Sequence, residues 1–157
     1  MTRIGVISDT HGLLRPEALA ALRGCDRILH GGDIGNAGIL DGLAQLAPIT
    51  AIRGNNDTGA WAAGLPDTLL LDIENVRIHL LHDRKQLALD PVAKGVRVVI
   101  SGHSHKPALE ERDGVLWLNP GSAGPRRFRL PVAVAEIVVD GRAVQARIVE
   151  LAIEARR

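Results

Sequence analysis

The stretch Val98–Pro107, VVISGHSHKP, decides how this chain is read. An apolar run enters Ser101 and Gly102, and two histidines follow with one serine between them. Residues two apart on an extended chain share a face and lie about 6.6 Å apart along it. That separation is too wide for both imidazoles to bind one ion without a turn, and it suits one ion each. Alone, such a pair is an ordinary surface feature. Its meaning rests on what the other apolar runs end in.

They end alike. RIGVIS runs into Asp9-Thr10-His11, RIL into His30-Gly31-Gly32-Asp33, ITAI into Arg53-Gly54-Asn55-Asn56-Asp57, and VRIHLL into His82-Asp83. Short apolar runs of this kind read as buried strands. Between the first two, RPEALAALRG has Pro16 at a first helical position, Glu17 in the first turn and Gly24 as a stop. AGILDGLAQLAP puts Ile39, Leu43 and Leu46 on one helical face and stops at Pro48. A β-α-β-α-β start predicts parallel strands joined by right-handed crossovers. The later segments predict antiparallel hairpins turning at Glu74-Asn75, Asp113-Gly114 and Asp140-Gly141. A short helix within Arg84–Lys94 has Pro91 against it.

In open α/β sheets, ligands bind beyond the carboxyl ends of the strands. Here five such ends in succession carry metal-ligand residue types, at intervals of about 21 to 27 residues. The set is Asp9, His11, Asp33, Asn55, His82, His103 and His105. Seven oxygen and nitrogen donors without a thiolate exceed what one tetrahedral ion uses, and match two ions bridged by a carboxylate. Gly31, Gly32 and Gly54 either let backbone approach such ions or make tight turns. His30 and His79 are expected to be structural, Asp57 to hold a loop, and Arg53, Arg126 and Arg127 to be solvated or packed. For Trp61, a place at the entrance, a dimer contact and plain packing are all open.

Composition narrows the classes. The 157 residues suit one domain, 1–157, large enough to bury a core without disulfide or metal. Trp61, Trp117 and Phe128 are the only aromatics, and the net charge is +1, so a nucleic-acid-binding surface is not expected beyond small nucleotides. Cys25 is the only cysteine, which suits a reducing cytoplasm. The short apolar run before Asp9 does not read as a signal peptide, and no run of about 18 apolar residues reads as a membrane span.

In order, SDTHG, GGD, GNND, His82 and GHSH resemble the calcineurin-type metallophosphoesterases, above all the small single-domain YfcE-like phosphodiesterase group. NPGS (Asn119–Ser122) resembles that group's downstream motif. The resemblance implies an α/β fold, a four-layer αββα sandwich of two mixed sheets flanked by helices. It implies one ion held by Asp9, His11, Asp33 and His105 and a second by Asp33, Asn55, His82 and His103, with Asp33 bridging. Asp33, Asn55 and His103 would serve catalysis. A hydroxide between the ions would attack a small phosphate ester, a diester by preference. Manganese is the first choice of metal, with Fe, Zn, Ni or Co as alternatives. Oligomeric state, a homo-oligomer included, is open. The rival readings are a phosphomonoesterase on a nucleotide or sugar phosphate, and a scaffold like the retromer subunit of this fold. In such scaffolds the metal constellation is eroded, whereas all seven positions persist here.

Two positions depart from the family pattern. Asn56 stands where His or Cys commonly follows the liganding Asn, and an amide donates no proton near neutral pH. Asp83 replaces a usual Gly, either orienting His82 or repelling anions at the entrance. Esters with poor leaving groups are therefore expected to turn over slowly. Asn56→His should raise kcat on alkyl phosphoesters relative to aryl ones; an unchanged ratio would mean this position takes no part in leaving-group departure.

Overall fold

The computed structural model describes residues 1–127 and 129–153; Phe128, the third aromatic, lies outside them. The opening segments form β1 (Thr2–Ile7), α1 (Pro16–Leu22), β2 (Arg27–His30), α2 (Ala37–Ala44) and β3 (Ile49–Ala51). β1 pairs parallel with β2, and β2 with β3, as the alternation of element types demands. The chain's last two strands, β9 (Ala133–Asp140) and β10 (Ala143–Glu150), return to this sheet. β9 lies antiparallel to β1, which gives the order β10-β9-β1-β2-β3.

The second sheet is built from β4 (Thr68–Ile73), β5 (Val76–Leu81), β6 (Val98–Ile100), β7 (Ala108–Arg112) and β8 (Val115–Asn119), ordered β4-β5-β6-β8-β7. The hairpins turn where expected. Glu74 and Asp113 take φ of 50° and 53° at two of them, and Gly141 takes 62° at the third. One expectation needs correction. The segments after Thr68 are not simply antiparallel, because β6 runs parallel to both β5 and β8. Local pattern marks β6 as a strand, and its three fully buried residues belong to a central position; its partners are chosen by packing.

The two sheets face each other across one core. Ile4, Val6, Leu29 and Ile137 of the first meet Ile78, Leu80, Ile100 and Leu118 of the second, all essentially solvent-free. Each such side chain contributes roughly 1.5–3 kcal/mol by leaving water. On the other face of the first sheet, Ala18 and Leu22 of α1 and Ile39 and Leu43 of α2 cover Ile7, Ile28 and Ala51. The other face of the second sheet is covered thinly. There Leu87 and Leu89 lie over Leu81, Val96, Val99 and Val115, with Trp117 beside them. This layer is a single 3-10 turn at Arg84–Gln86 followed by loop, the chain leaving helical geometry at Leu87 (ψ 119°). The layered α/β sandwich with two mixed sheets is as expected, with its second helical layer reduced to that turn.

This arrangement places the carboxyl ends of β1, β2 and β3 opposite those of β5, β6 and β8. The α1–β1 approach depends on Gly5, where a Cβ would stand 2.6 Å from Leu22 Cδ2 and 3.1 Å from Cys25 Sγ. Gly5→Val should destabilise the protein by about 1–3 kcal/mol through overpacking, read as an earlier midpoint in urea unfolding.

Candidate metal centre

Each candidate residue sits just past a strand. Asp9 and His11 follow β1, Asp33 follows β2, Asn55 follows β3, His82 follows β5, and His103 and His105 follow β6. The backbone there is unusual. Asp9, His11, Asp33, His103 and His105 have φ of 55°, 46°, 55°, 71° and 63°. Left-handed backbone is uncommon without glycine, and Asp and His are among the residue types that tolerate it best. It persists only where surrounding contacts over-determine it.

Those contacts are present. Asp9 N–H donates to Gly32 O at 3.0 Å, His11 N–H to Asp33 O at 2.9 Å, and Gly102 N–H to His82 O at 2.9 Å. Asp57 clamps two loops, accepting from the amides of Ile34, Gly35 and Gly54 at 2.9–3.1 Å. That agrees with its reading as a loop holder. At Gly54 any Cβ would run into the Asp33 amide and carboxylate, and at Gly32 (φ 97°) a Cβ would lie 2.8 Å from His82 Nδ1. At Gly32 close approach and left-handed backbone both require glycine, whereas at Gly54 the close approach alone does.

The side chains gather into two groups. Asp9, His11 and His105 have one donor atom each within 4.8 Å of the others, and so do Asp33, His82 and His103. The two histidines of GHSH therefore part company. His105 Nε2 lies 3.2 Å from His11 Nε2, while His103 stands edge-on to His82 with ring centroids 5.2 Å apart. Asp33 Oδ2 reaches across, 3.1 Å from His82 Nε2 and 3.7 Å from His11 Nε2. Asp9 Oδ1 lies 3.4 Å from His105 Nε2, 3.7 Å from His11 Nε2 and 3.8 Å from His82 Nε2. Asn55 is exposed and lines a cleft with His82 and His103.

The supporting bonds orient these groups. Asp9 Oδ2 accepts from Ser8 Oγ at 2.7 Å and from the His103 amide at 3.1 Å, which turns Oδ1 toward the imidazoles. His82 Nδ1 faces Gly31 O at 2.8 Å, so Nε2 points into the site. Among the described residues, buried Asp9 Oδ1 has no hydrogen-bond partner, and buried His82 Nε2 has only the ion-pair contact with Asp33 Oδ2. Asn56 holds Asp33 twice, amide to Oδ1 at 3.0 Å and Nδ2 to Oδ2 at 3.2 Å. Orphaned, converging oxygen and nitrogen atoms fit divalent cations as their missing partners.

The electrostatics agree. Burial opposes charge on Asp9, yet His105, His11, Ser8 and His82 hold its carboxyl well below the usual range. Asp33 is likewise lowered, burial being outweighed by His82 and the Asn56 amide. Burial also opposes charge on His82, but Asp33, the Gly31 carbonyl and Asp9 push it up to about 9. The network thus draws positive charge to where a cation would sit.

His30 and His79 play the structural parts expected of them. His30 is fully buried between the Gly32 amide and Thr10 Oγ1, and burial pushes it down to about 4. His79 Nδ1 meets Leu69 O at 3.0 Å. Arg53 is paired with Asp67 at 2.9 Å, and Trp61 packs beside the helical layer. Asp83 faces His103 rather than His82, its Oδ2 lying 3.8 Å from His103 Nε2. Sequence reasoning missed Ser8 and the Ser122 hydroxyl, which donates to Asp9 O at 2.8 Å. It also gave no role to Asn119, whose Nδ2 donates to Gly102 O at 3.0 Å and Ser104 Oγ at 3.1 Å. NPGS was the available signal for the last two.

Comparison with known proteins agrees with this geometry. Residues 2–140 match the family model of the calcineurin-like phosphoesterase superfamily domain. A probable metallophosphoesterase of Methanothermobacter thermautotrophicus is 37% identical over 93% of this chain and 91% of its own. A phosphodiesterase of Methanocaldococcus jannaschii is 30% identical over 76% of this chain and 82% of its own. Vacuolar protein sorting 29 of Cryptosporidium parvum shares the fold, with a TM-score of 0.83 at 18% identity over 96% of this chain and 92% of that one. The converging strand ends, the motifs they carry and the match across residues 2–140 make this chain a member of the calcineurin-like phosphoesterase superfamily.

Proposed function

We propose that the chain works as one domain over residues 1–157, a metal-dependent phosphoesterase acting on small phosphodiesters. The observation that carries this reading is Asp33 Oδ2, one carboxylate oxygen within 3.7 Å of an imidazole nitrogen from each group. On this reading Asp9, His11, Asp33 and His105 hold one divalent ion, and Asp33, Asn55, His82 and His103 a second. Manganese is our first choice. Bound there, two such ions would supply an activated water and neutralise charge on the phosphoryl oxygens.

The chain's own groups do the positioning. Ser8 and the His103 amide fix Asp9, the Gly31 carbonyl fixes His82, and Asn56 fixes Asp33. Asn56 has no proton to give a departing alkoxide, so aryl esters should be favoured over alkyl ones. The likeness to the phosphodiesterase of M. jannaschii supports the diester reading. The likeness to relatives named as a metallophosphoesterase and a phosphodiesterase favours catalysis over the scaffold role. No helix among the described residues is long and apolar enough to cross a membrane, and a cytoplasmic site of action is our reading of the lone cysteine.

The test is to strip the protein with chelator, restore Mn, Fe, Zn, Ni or Co singly, and assay aryl phosphodiesters and monoesters. Activity should vanish without metal, return with it, and be higher on the diester; activity indifferent to metal would overturn the proposal. A monoester preference would favour the phosphomonoesterase reading. Asp33→Asn should lower kcat at least about a hundredfold. Restoring ion at a hundredfold excess over its Kd should also stabilise the fold by about 2.7 kcal/mol, visible as a raised Tm that Asp33→Asn loses.

A further inference from the structure

Two clefts of similar size meet at the candidate metal centre. One, of about 510 Å3, runs past Arg53, Asn55, Thr68 and Gln86. The other, of about 540 Å3, runs past Arg84, Lys85, Ser104, Lys106 and Trp117. Asp83 and His103 line both, and so form the ridge between them. A phosphomonoester has one organic group and could fill only one cleft. A diester has two, leaving its phosphorus in different directions.

We infer that the second cleft binds one ester arm of the phosphodiester, and that this arm is a planar ring system bearing a further negative charge, as in a nucleotide. The inference rests on the phosphodiesterase reading and adds to it the class of arm. Its first support is the cleft wall. The Arg84 guanidinium lies 4.3 Å from the centroid of the Trp117 ring and is held by Glu110 at 3.1 Å. Arg112 also approaches that ring, at 5.5 Å. Arg84 is thus a flat cation fixed on an aromatic support, with its side chain 40% exposed at the cleft. Such a plate stacks well against a heterocyclic or aryl ring.

The second support is charge. With Arg84 engaged by Glu110, Lys85 and Lys106 supply the cleft's remaining positive charge. The Asp83 carboxylate stands at the ridge and repels a second anion there. An additional phosphate therefore fits outward along the lysines, away from the reacting phosphorus. Among the described residues the first cleft has no Trp, Tyr or Phe, its rings being the His82 and His103 imidazoles of the metal centre, and its Arg53 is already paired with Asp67 at 2.9 Å. It suits the smaller, polar arm.

The experiment compares a dinucleoside phosphate with the same compound carrying one extra terminal phosphate, using metal-restored protein. The extra phosphate should lower KM about fivefold, the yield of two exposed charge contacts, with kcat little changed. Lys85→Ala combined with Lys106→Ala should abolish that difference while leaving turnover of a simple aryl diester intact. Equilibrium dialysis of the uncleavable methylphosphonate analogues should show the same lysine-dependent preference. If diesters are cleaved but KM ignores both the extra phosphate and the lysines, the arm assignment is overturned and the phosphodiesterase reading stands. If no ion restores diester cleavage, that underlying reading fails. The dialysis then still decides the cleft, because binding indifferent to the lysines excludes it.

Discussion

Two carboxylates brought out of water at the junction of two sheets are the constraint around which this molecule is organised. Asp9 is fully buried and Asp33 nearly so. A buried anion is costly unless charge or hydrogen bonds compensate it. Compensation here comes from several directions. Imidazoles close on both groups from loops of both sheets, while the Ser8 hydroxyl and the His103 amide bond Asp9 Oδ2 and the Asn56 amide bonds Asp33 Oδ1. Even so, among the described residues Asp9 Oδ1 is left without a hydrogen-bond partner and His82 Nε2 with only the Asp33 carboxylate facing it, and a divalent cation would complete both.

The same constraint accounts for the backbone. To aim short side chains inward from strand ends, five of the seven candidate residues turn into left-handed conformation. Such strain survives because cross-loop bonds hold it, from Asp9 to Gly32, from His11 to Asp33 and from Gly102 to His82. Asp57 adds a three-amide clamp on the loops after β2 and β3. Strain of this kind at a functional site is preorganisation: the groups are already placed before any ligand arrives.

The two departures from the family pattern acquire physical content in this setting. Asn56 holds the spanning carboxylate through backbone and side chain at once, a part an amide can play although it cannot act as an acid. Asp83 stands on the ridge where both clefts begin and faces His103, the most exposed of the clustered imidazoles. It therefore bears on how charge is distributed at the entrance more than on the orientation of His82.

Much of this was legible in the residues themselves. Apolar runs ending in Asp, His and Asn marked the strands and their functional ends, the helical periodicity around Ile39 and Leu43 marked α2, and Asp-Gly pairs marked two hairpins. These signals are local, set by side-chain period and backbone preference over a few residues. The parallel placement of β6 between β5 and β8, the thin cover over the second sheet and the turn of Asp83 toward His103 were not legible. Neither were the contributions of Ser8 and Asn119. Each depends on contacts between segments distant in sequence, which the shared core of Ile4, Leu29, Ile78, Ile100 and their neighbours brings together. Residue types and spacing determined which atoms were available for chemistry; only the packing of one sheet on the other decided which of them meet.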